Sequence, residues 1–180
     1  WKRDDATKET FKATLADAKD QDVPRHFLRS GDLGFIRDGH LYIAGRTKEV
    51  MIFNGQCHYP VDIEAHLYKI HPDIIQGVAA AFSVLDDTGS EALVIVQELK
   101  RSGTADLDEI ERLARAHIAQ EHGLKLHDFV LIRRGTLLRT TSGKIRRTEM
   151  KQKYLENDLL KVRPDSKSPK SDATPEPSLD

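Results

Sequence analysis

The chain has 180 residues, with 28 Lys and Arg against 29 Asp and Glu. That length allows one ordinary domain, or a small domain plus part of another, and the near balance of charge argues against a dedicated nucleic-acid binder. The single cysteine, Cys57, excludes an internal disulfide framework and suits a reducing, cytoplasmic compartment, and no apolar run is long enough to span a membrane.

The opening "WKRDDATKETF" is charged, lacks the apolar core of a signal peptide and does not begin with Met. It reads as the cut end of a longer protein, with a short helix around Glu9–Lys19. From Leu33 the pattern changes to a hairpin, "LGFIRDGHLYIAG", turning at Asp38-Gly39, a pair that accepts the positive φ values of a tight turn. "GRTKEVMIFNGQCHYP" follows, with a second short hairpin around Asn54-Gly55. Pro60 opens a helix through about Ile70 with Ile63, Leu67 and Ile70 on one face, and Pro72 stops it.

"GVAAAFSVLD" and "EALVIVQEL" are buried-strand candidates separated by the turn signal "DDTGS". Asp106 to Gly123 is the clearest helix: Asp106 and Glu109 fit a capping box, Leu107, Ile110, Leu113 and Ala114 line one face, and Gly123 stands where a left-handed terminator belongs. "FVLIRRG" is the last strand. The loop "RTTSGKIRR" and a helix from about Arg147 to Leu160 complete the ordered part. Residues 163–180 are rich in Pro, Ser and charge and read as a disordered tail. Irregular interleaving of hairpins, strands and helices predicts an α+β fold.

Three motifs carry candidate chemistry. In "RSGDLG", Asp32 between glycines reads first as a turn aspartate, but its carboxylate could also accept hydrogen bonds from two vicinal sugar hydroxyls. In "GRTKE", a polar segment between two apolar hairpins reads as a solvated connection or as a hinge with Lys48 at its pivot, and Arg46 could reach a ribose or a phosphate. In "RTTSGKIRR", Thr140, Thr141, Ser142 and Gly143 form a polar, bendable approach to Lys144, with Arg139, Arg146 and Arg147 around it. Cations at a helix start are mildly unfavourable, by about 0.3–1 kcal/mol, so the cluster needs another reason, such as anion recognition. It is not a Walker A loop, because the first glycine of that spacing is absent. His117, His122 and His127 recur every five residues, which is not a metal-ligand spacing, and no metal site is expected. Cys57 reads as a core or hairpin cysteine, not as a nucleophile.

The order of these motifs, "SGDLG", "GRTKE", "HYPVDIE", then "TTSGKIRR", resembles the adenylate-forming superfamily of acyl- and aryl-CoA synthetases, peptide-synthetase adenylation domains and luciferase. "GQCHYPVDIE" is most similar to fatty acyl-AMP ligases, although Gln56 and Cys57 depart from the Arg-Asn usual there. The resemblance implies that residues 1–46 end a large N-terminal adenylation domain, 47–49 form a hinge and 50–162 form a small C-terminal lid domain. The lid would hold a short hairpin and a small sheet flanked by helices, preceded by the terminal hairpin of the large domain. It implies ATP and Mg²⁺ as cofactors, with the metal's ligands outside this chain. A fatty acid would be the substrate, and the phosphopantetheine arm of an acyl carrier protein the acceptor, or CoA in a CoA synthetase. Asp32, Ile43 and Arg46 would contact the nucleotide. Lys48 would be the pivot. Lys144, supported by Thr141, Ser142 and Gly143, would bridge the attacking carboxylate and the α-phosphate. The phosphate loop of the superfamily is absent from the sequence, so the chain is expected to be inactive by itself. A noncatalytic carrier-docking module is the reading that competes from another class.

Overall fold

The computed structural model describes residues 2–16, 25–100 and 106–162. The first helix, α1, runs Asp4–Phe11 and buries no side chain. It lies earlier than the periodicity indicates. Asp4 and Asp5 favour a helix start where the dipole is positive. Ala13 then leaves the helix to exchange backbone hydrogen bonds with Phe27, a pairing no local pattern discloses. The end of the expected helix, from residue 17 onward, lies outside the described residues, as does the expected disordered tail.

Strands β1 (Asp32–Arg37) and β2 (His40–Arg46) form the first hairpin, and Asp38 and Gly39 adopt positive φ at its tip. β3 (Met51–Phe53) and β4 (Gln56–His58) form the second, turning at Asn54 and Gly55 in the same way. Cys57 is in that hairpin and exposed. Helix α2 covers Pro60–Ala65 with Pro60 in its first turn, and a tighter 3-10 turn follows over Leu67–Lys69. The expected single helix to Ile70 is therefore broken at His66. Its face survives, because Ile63 and Leu67 are both buried.

β5 (Ile74–Leu85) pairs antiparallel with β6 (Glu91–Leu99). Helix α3 (Leu107–His122) crosses over to β7 (Leu126–Ile132), which pairs parallel with β6. The Asp106 side chain accepts hydrogen bonds from the Asp108 and Glu109 amides, and Gly123 ends α3 in the left-handed conformation, both as the sequence indicates. Helix α4 spans Arg147–Leu155, shorter than expected. Asn157 takes a positive φ, and the chain turns back so that Arg133 donates to Leu160 O and Val162 to Leu131 O. These bonds cover the open edge of β7, which an extended helix would leave unpaired.

The central strand explains its own sequence. Leu93 and Ile95 point into a core shared with α2 and α3, whereas Val94 and Val96 point into a second core shared with α4. A strand buried on both faces needs an unbroken apolar run instead of an alternating one. Gln97 is the polar exception. Its amide donates to Ile75 O, Val78 O and Glu98 O, filling the irregularity where β5 leaves the ladder between Ile74 and Ala79.

Candidate active site

Asp32 and Arg46 face each other at the open end of the β1–β2 hairpin. Arg46 Nε lies 3.2 Å from Asp32 Oδ1, and the pair is partly solvated. The ladder slips between Leu33 and Gly34. A Cβ on Gly34 would stand 2.6 Å from Tyr42 O, so the slip needs a glycine there.

The Lys144 loop is a closed turn, tighter than the bendable approach expected from its composition. Arg139 and Ile145 bridge its ends. Thr140 N donates to Lys144 O at 2.8 Å, Lys144 N donates to Thr140 Oγ1 at 3.0 Å, and Gly143 N donates to Thr140 O at 2.9 Å. Gly143 sits at φ 82°, which favours glycine. Ser142 Oγ lies 2.9 Å from Thr140 Oγ1. Thr140 is thus the hub of the polar approach, tied to Ser142, Gly143 and Lys144 together. Arg139 reaches across to Gly77 O at 2.5 Å and anchors the loop on β5.

An open cleft of about 680 Å³ separates the hairpin from this loop. Asp32, Ile43, Arg46, Gly143 and Lys144 all line it, along with Thr140. Five residues singled out in distant motifs are therefore brought together. Lys48 lines a neighbouring cleft of about 270 Å³ beside Thr148 and Lys151, and Thr141 and Ser142 line neither.

Sequence reasoning missed an ionic cluster at the junction of these clefts. Arg147 Nε and Nη2 grip the two oxygens of Glu64 at 2.7 and 2.6 Å, and Nη1 donates to Glu49 Oε2 at 2.9 Å. The Ala81 amide donates to Glu64 Oε1 at 2.8 Å. The side chains of Arg147 and Glu64 are only 13% and 8% exposed. Burial pushes the Glu64 carboxyl up from its ordinary value, against the lowering pull of Arg147 and the Ala81 amide. Burial likewise works against the Arg147 charge, but the two carboxylates more than restore it and hold its proton firmly. The partners thus pull in opposite senses. A two-pronged grip plus an amide donor is the geometry of an ionised carboxylate, so the cluster is a true ion pair. A glutamate beside Ile63 on a core-facing helix was the available sequence signal, since a buried carboxylate needs a partner. Nothing local indicated Arg147, 83 residues away.

The cluster changes the meaning of the basic loop. In the cleft Arg46 is paired with Asp32, Arg146 with Glu149, and Arg147 with Glu49 and Glu64. Among the described residues no hydrogen bond or ion pair engages the Lys144 ammonium, so Lys144 is the cleft's uncommitted cation. No group of three or more His, Cys, Asp or Glu side chains among the described residues is placed to hold a metal ion.

The sequence model of the Disco-interacting protein 2-like AMP domain matches residues 48–163. The chain belongs to that AMP-domain family. The medium-chain-fatty-acid–[acyl-carrier-protein] ligase JamA of Moorena producens is 42% identical over 161 residues, covering 88% of this chain and 26% of JamA. The long-chain-fatty-acid–AMP ligase FadD26 of Mycobacterium tuberculosis is 37% identical over 159 residues, covering 86% of this chain and 27% of FadD26. The crystal structure of a fatty acid AMP ligase from Legionella pneumophila superposes with a TM-score of 0.52 at 30% identity, over 91% of this chain and 28% of the ligase. This AMP domain thus spans about a quarter of the length of the curated relatives it matches.

Proposed function

We propose that this AMP domain works as part of a fatty acyl-AMP ligase. The enzyme would activate a fatty acid with ATP to an acyl-adenylate and pass the acyl group to the phosphopantetheine thiol of an acyl carrier protein. The observation that carries the reading is the cleft in which Lys144 is the uncommitted cation opposite Asp32 and Arg46. In the first step a carboxylate oxygen attacks the α-phosphorus of ATP, an O–P bond forms, and the bond to pyrophosphate breaks. Attacker and target are both anions. A lysine ammonium between them offsets their repulsion and stabilises the charge that develops as the bonds exchange. A compact ammonium on a flexible stem contacts several oxygens at once, a task a guanidinium committed to a carboxylate cannot perform. Asp32, oriented by Arg46, would accept the ribose hydroxyls, and Ile43 would offer an apolar surface to the nucleotide. Mg²⁺ would neutralise the phosphates, on ligands outside this chain.

Residues 1–46 would end the large adenylation domain, and 50–162 would form the lid. Two bonds support Lys48 as the pivot between them. Thr47 N donates to Gly31 O at 2.9 Å and ties the chain before the pivot to the hairpin. Glu49 grips Arg147 and ties the chain after it to the lid. Between the two anchors the Lys48 side chain makes no hydrogen bond or ion pair among the described residues, and one backbone bond, from Glu49 N to Arg46 O at 3.0 Å, closes the turn around it, so few contacts resist a change in its backbone angles. The family match beginning at Lys48 agrees with that boundary.

The test is pyrophosphate release from ATP and fatty acid by the full-length enzyme. Lys144→Ala should lower it by roughly 10²–10³-fold or more, the lower bound being the scale seen when one preorganised hydrogen-bond donor is removed from a developing oxyanion. Unchanged release would defeat the catalytic reading and favour a docking module. Thioester formation with a carrier protein but not with free CoA separates the AMP ligase from a CoA synthetase.

A further inference from the structure

The ring of Tyr59 lies against the backbone of Gly45. A Cβ built on Gly45 would stand 2.7 Å from Tyr59 Cδ1 and 3.3 Å from Cε1, well inside the roughly 3.5–4.0 Å at which carbon atoms rest against one another. Gly45 is not among the glycines with positive φ. It is needed there for room, and its partner in need is an aromatic ring.

The two residues are held by different parts of the molecule. Gly45 is fixed by its pairing with Leu33 in the β1–β2 hairpin. Tyr59 caps α2, its carbonyl accepting from the Asp62 and Ile63 amides at 3.1 and 3.4 Å, and Pro60 restricts its backbone further. α2 in turn carries Glu64, which is bonded to Ala81 of β5 and to Arg147 of α4. The chain joins the hairpin to β3 only through Thr47–Val50, and the hairpin shares no extended face with any other described strand or helix. The Tyr59 ring on Gly45 therefore spans the connection. One backbone hydrogen bond spans it too, from Glu49 N to Arg46 O at 3.0 Å.

We propose that Tyr59 and Gly45 form a conformational lock, which holds the arrangement with Lys144 opposite Asp32 and must open when the chain pivots at Lys48. The proposal rests on the two-domain reading above, but its primary test does not depend on the chemistry. An aromatic ring on bare backbone suits this task. It excludes water over the face it covers without committing buried polar groups, so it can separate and re-form without stranding a donor or acceptor. A side chain at position 45 would push the ring away in this arrangement and would cost nothing in one where the two parts have separated. It would shift the population and leave both folds intact.

The test uses the full chain with Cys57→Ser, spin-labelled at Ile36→Cys and Leu85→Cys, two exposed positions on the hairpin and on β5. In the parent the inter-label distance should form one main population. Gly45→Ala should move a major fraction of it to other distances, with an unchanged melting temperature of the sheet. Tyr59→Ala should broaden it. Gly45→Ala combined with Tyr59→Ala should match Tyr59→Ala alone, because the added methyl then has nothing to strike. In the full-length ligase Gly45→Ala should slow pyrophosphate release by roughly tenfold, in line with ordinary overpacking costs, and spare acyl transfer from preformed acyl-adenylate. An unchanged distance distribution in Gly45→Ala, or additive shifts in the double variant, overturns the lock. If Gly45→Ala fails to fold, Tyr59→Ala decides alone, and a distribution identical to the parent's overturns it. A distance shift with no pyrophosphate release in any variant keeps the lock and refutes the ligase reading instead.

Discussion

The β1–β2 hairpin and the three-stranded sheet use similar residues to opposite ends. The sheet turns its apolar side chains inward on both faces, so that Ile95, Val94 and Val96 are fully buried. The hairpin leaves Ile36 and Leu41 77% and 67% exposed on one face, while Phe35 stacks on Tyr42 in the open on the other. One region finishes its own core, and the other leaves its apolar side chains exposed among the described residues, as expected under the proposal that it ends a larger domain. The comparison teaches where stability and function should separate. Damage to the sheet region should unfold it, and damage around the hairpin should alter what the cleft does.

The largest effect is expected at the Arg147 cluster, which belongs to the sheet side. Arg147→Met leaves Glu64 buried without its cation, and such breakage costs about 3–5 kcal/mol. Urea denaturation followed by circular dichroism should register that loss. Adding Glu64→Leu should recover much of it, because replacing both partners removes the stranded charge. A single variant as stable as the parent would mean the cluster is solvated and the sheet less self-contained than its burial indicates.

Next in size is a paired truncation. Ile95→Ala in the central strand should cost about 2–5 kcal/mol, and Ile36→Ala on the exposed hairpin about 0.5 kcal/mol or less. The same two proteins in the same urea titration give the contrast directly. Equal losses would erase the distinction between the regions.

These regions also differ in how far the sequence disclosed them. Hairpin turns at Asp38-Gly39 and Asn54-Gly55 were legible because positive φ restricts residue choice locally. Helix α3 was legible from its cap, its face and Gly123, and β6 from an apolar run that only a doubly buried strand needs. The ends of α1, α2 and α4 were not, because each is set by partners distant in sequence or by a tightened turn: Phe27 for α1, the break at His66 for α2, Leu131 and Arg133 for α4. In the cleft, Asp32, Arg46 and Lys144 stood out as motifs. That they share one space, and that Arg147 is already paired, follows from contacts of Glu49 and Glu64 that no spacing announces, whereas Arg146 and Glu149 stand three residues apart, a spacing at which such a pair can be expected.

The smallest effect concerns pH, and it too should fall on the sheet side. His117 Nε2 and His122 Nε2 are buried without a hydrogen-bond partner among the described residues. Burial holds His122 below the ordinary histidine value of 6.5, and the nearby His117 and His58 push it in the same direction, against Asp62 and Glu121. A base whose folded value is depressed binds its proton more readily when unfolded. Its contribution to stability is therefore present above about pH 6.5 and is lost as pH falls through the lower folded value. The melting temperature should drop as the buffer is taken below pH 6.5, and His122→Gln should flatten that slope, since glutamine cannot be charged. The hairpin offers the control. A fluorophore attached at Leu41→Cys in the Cys57→Ser chain, read at temperatures below the melt, should not follow the same slope, because Leu41 is exposed on the hairpin, apart from the histidines of α3. If both signals moved together with pH, the two regions would be coupled through more than the Thr47–Val50 connection and the Tyr59 contact. The lock would then be one fastening among several.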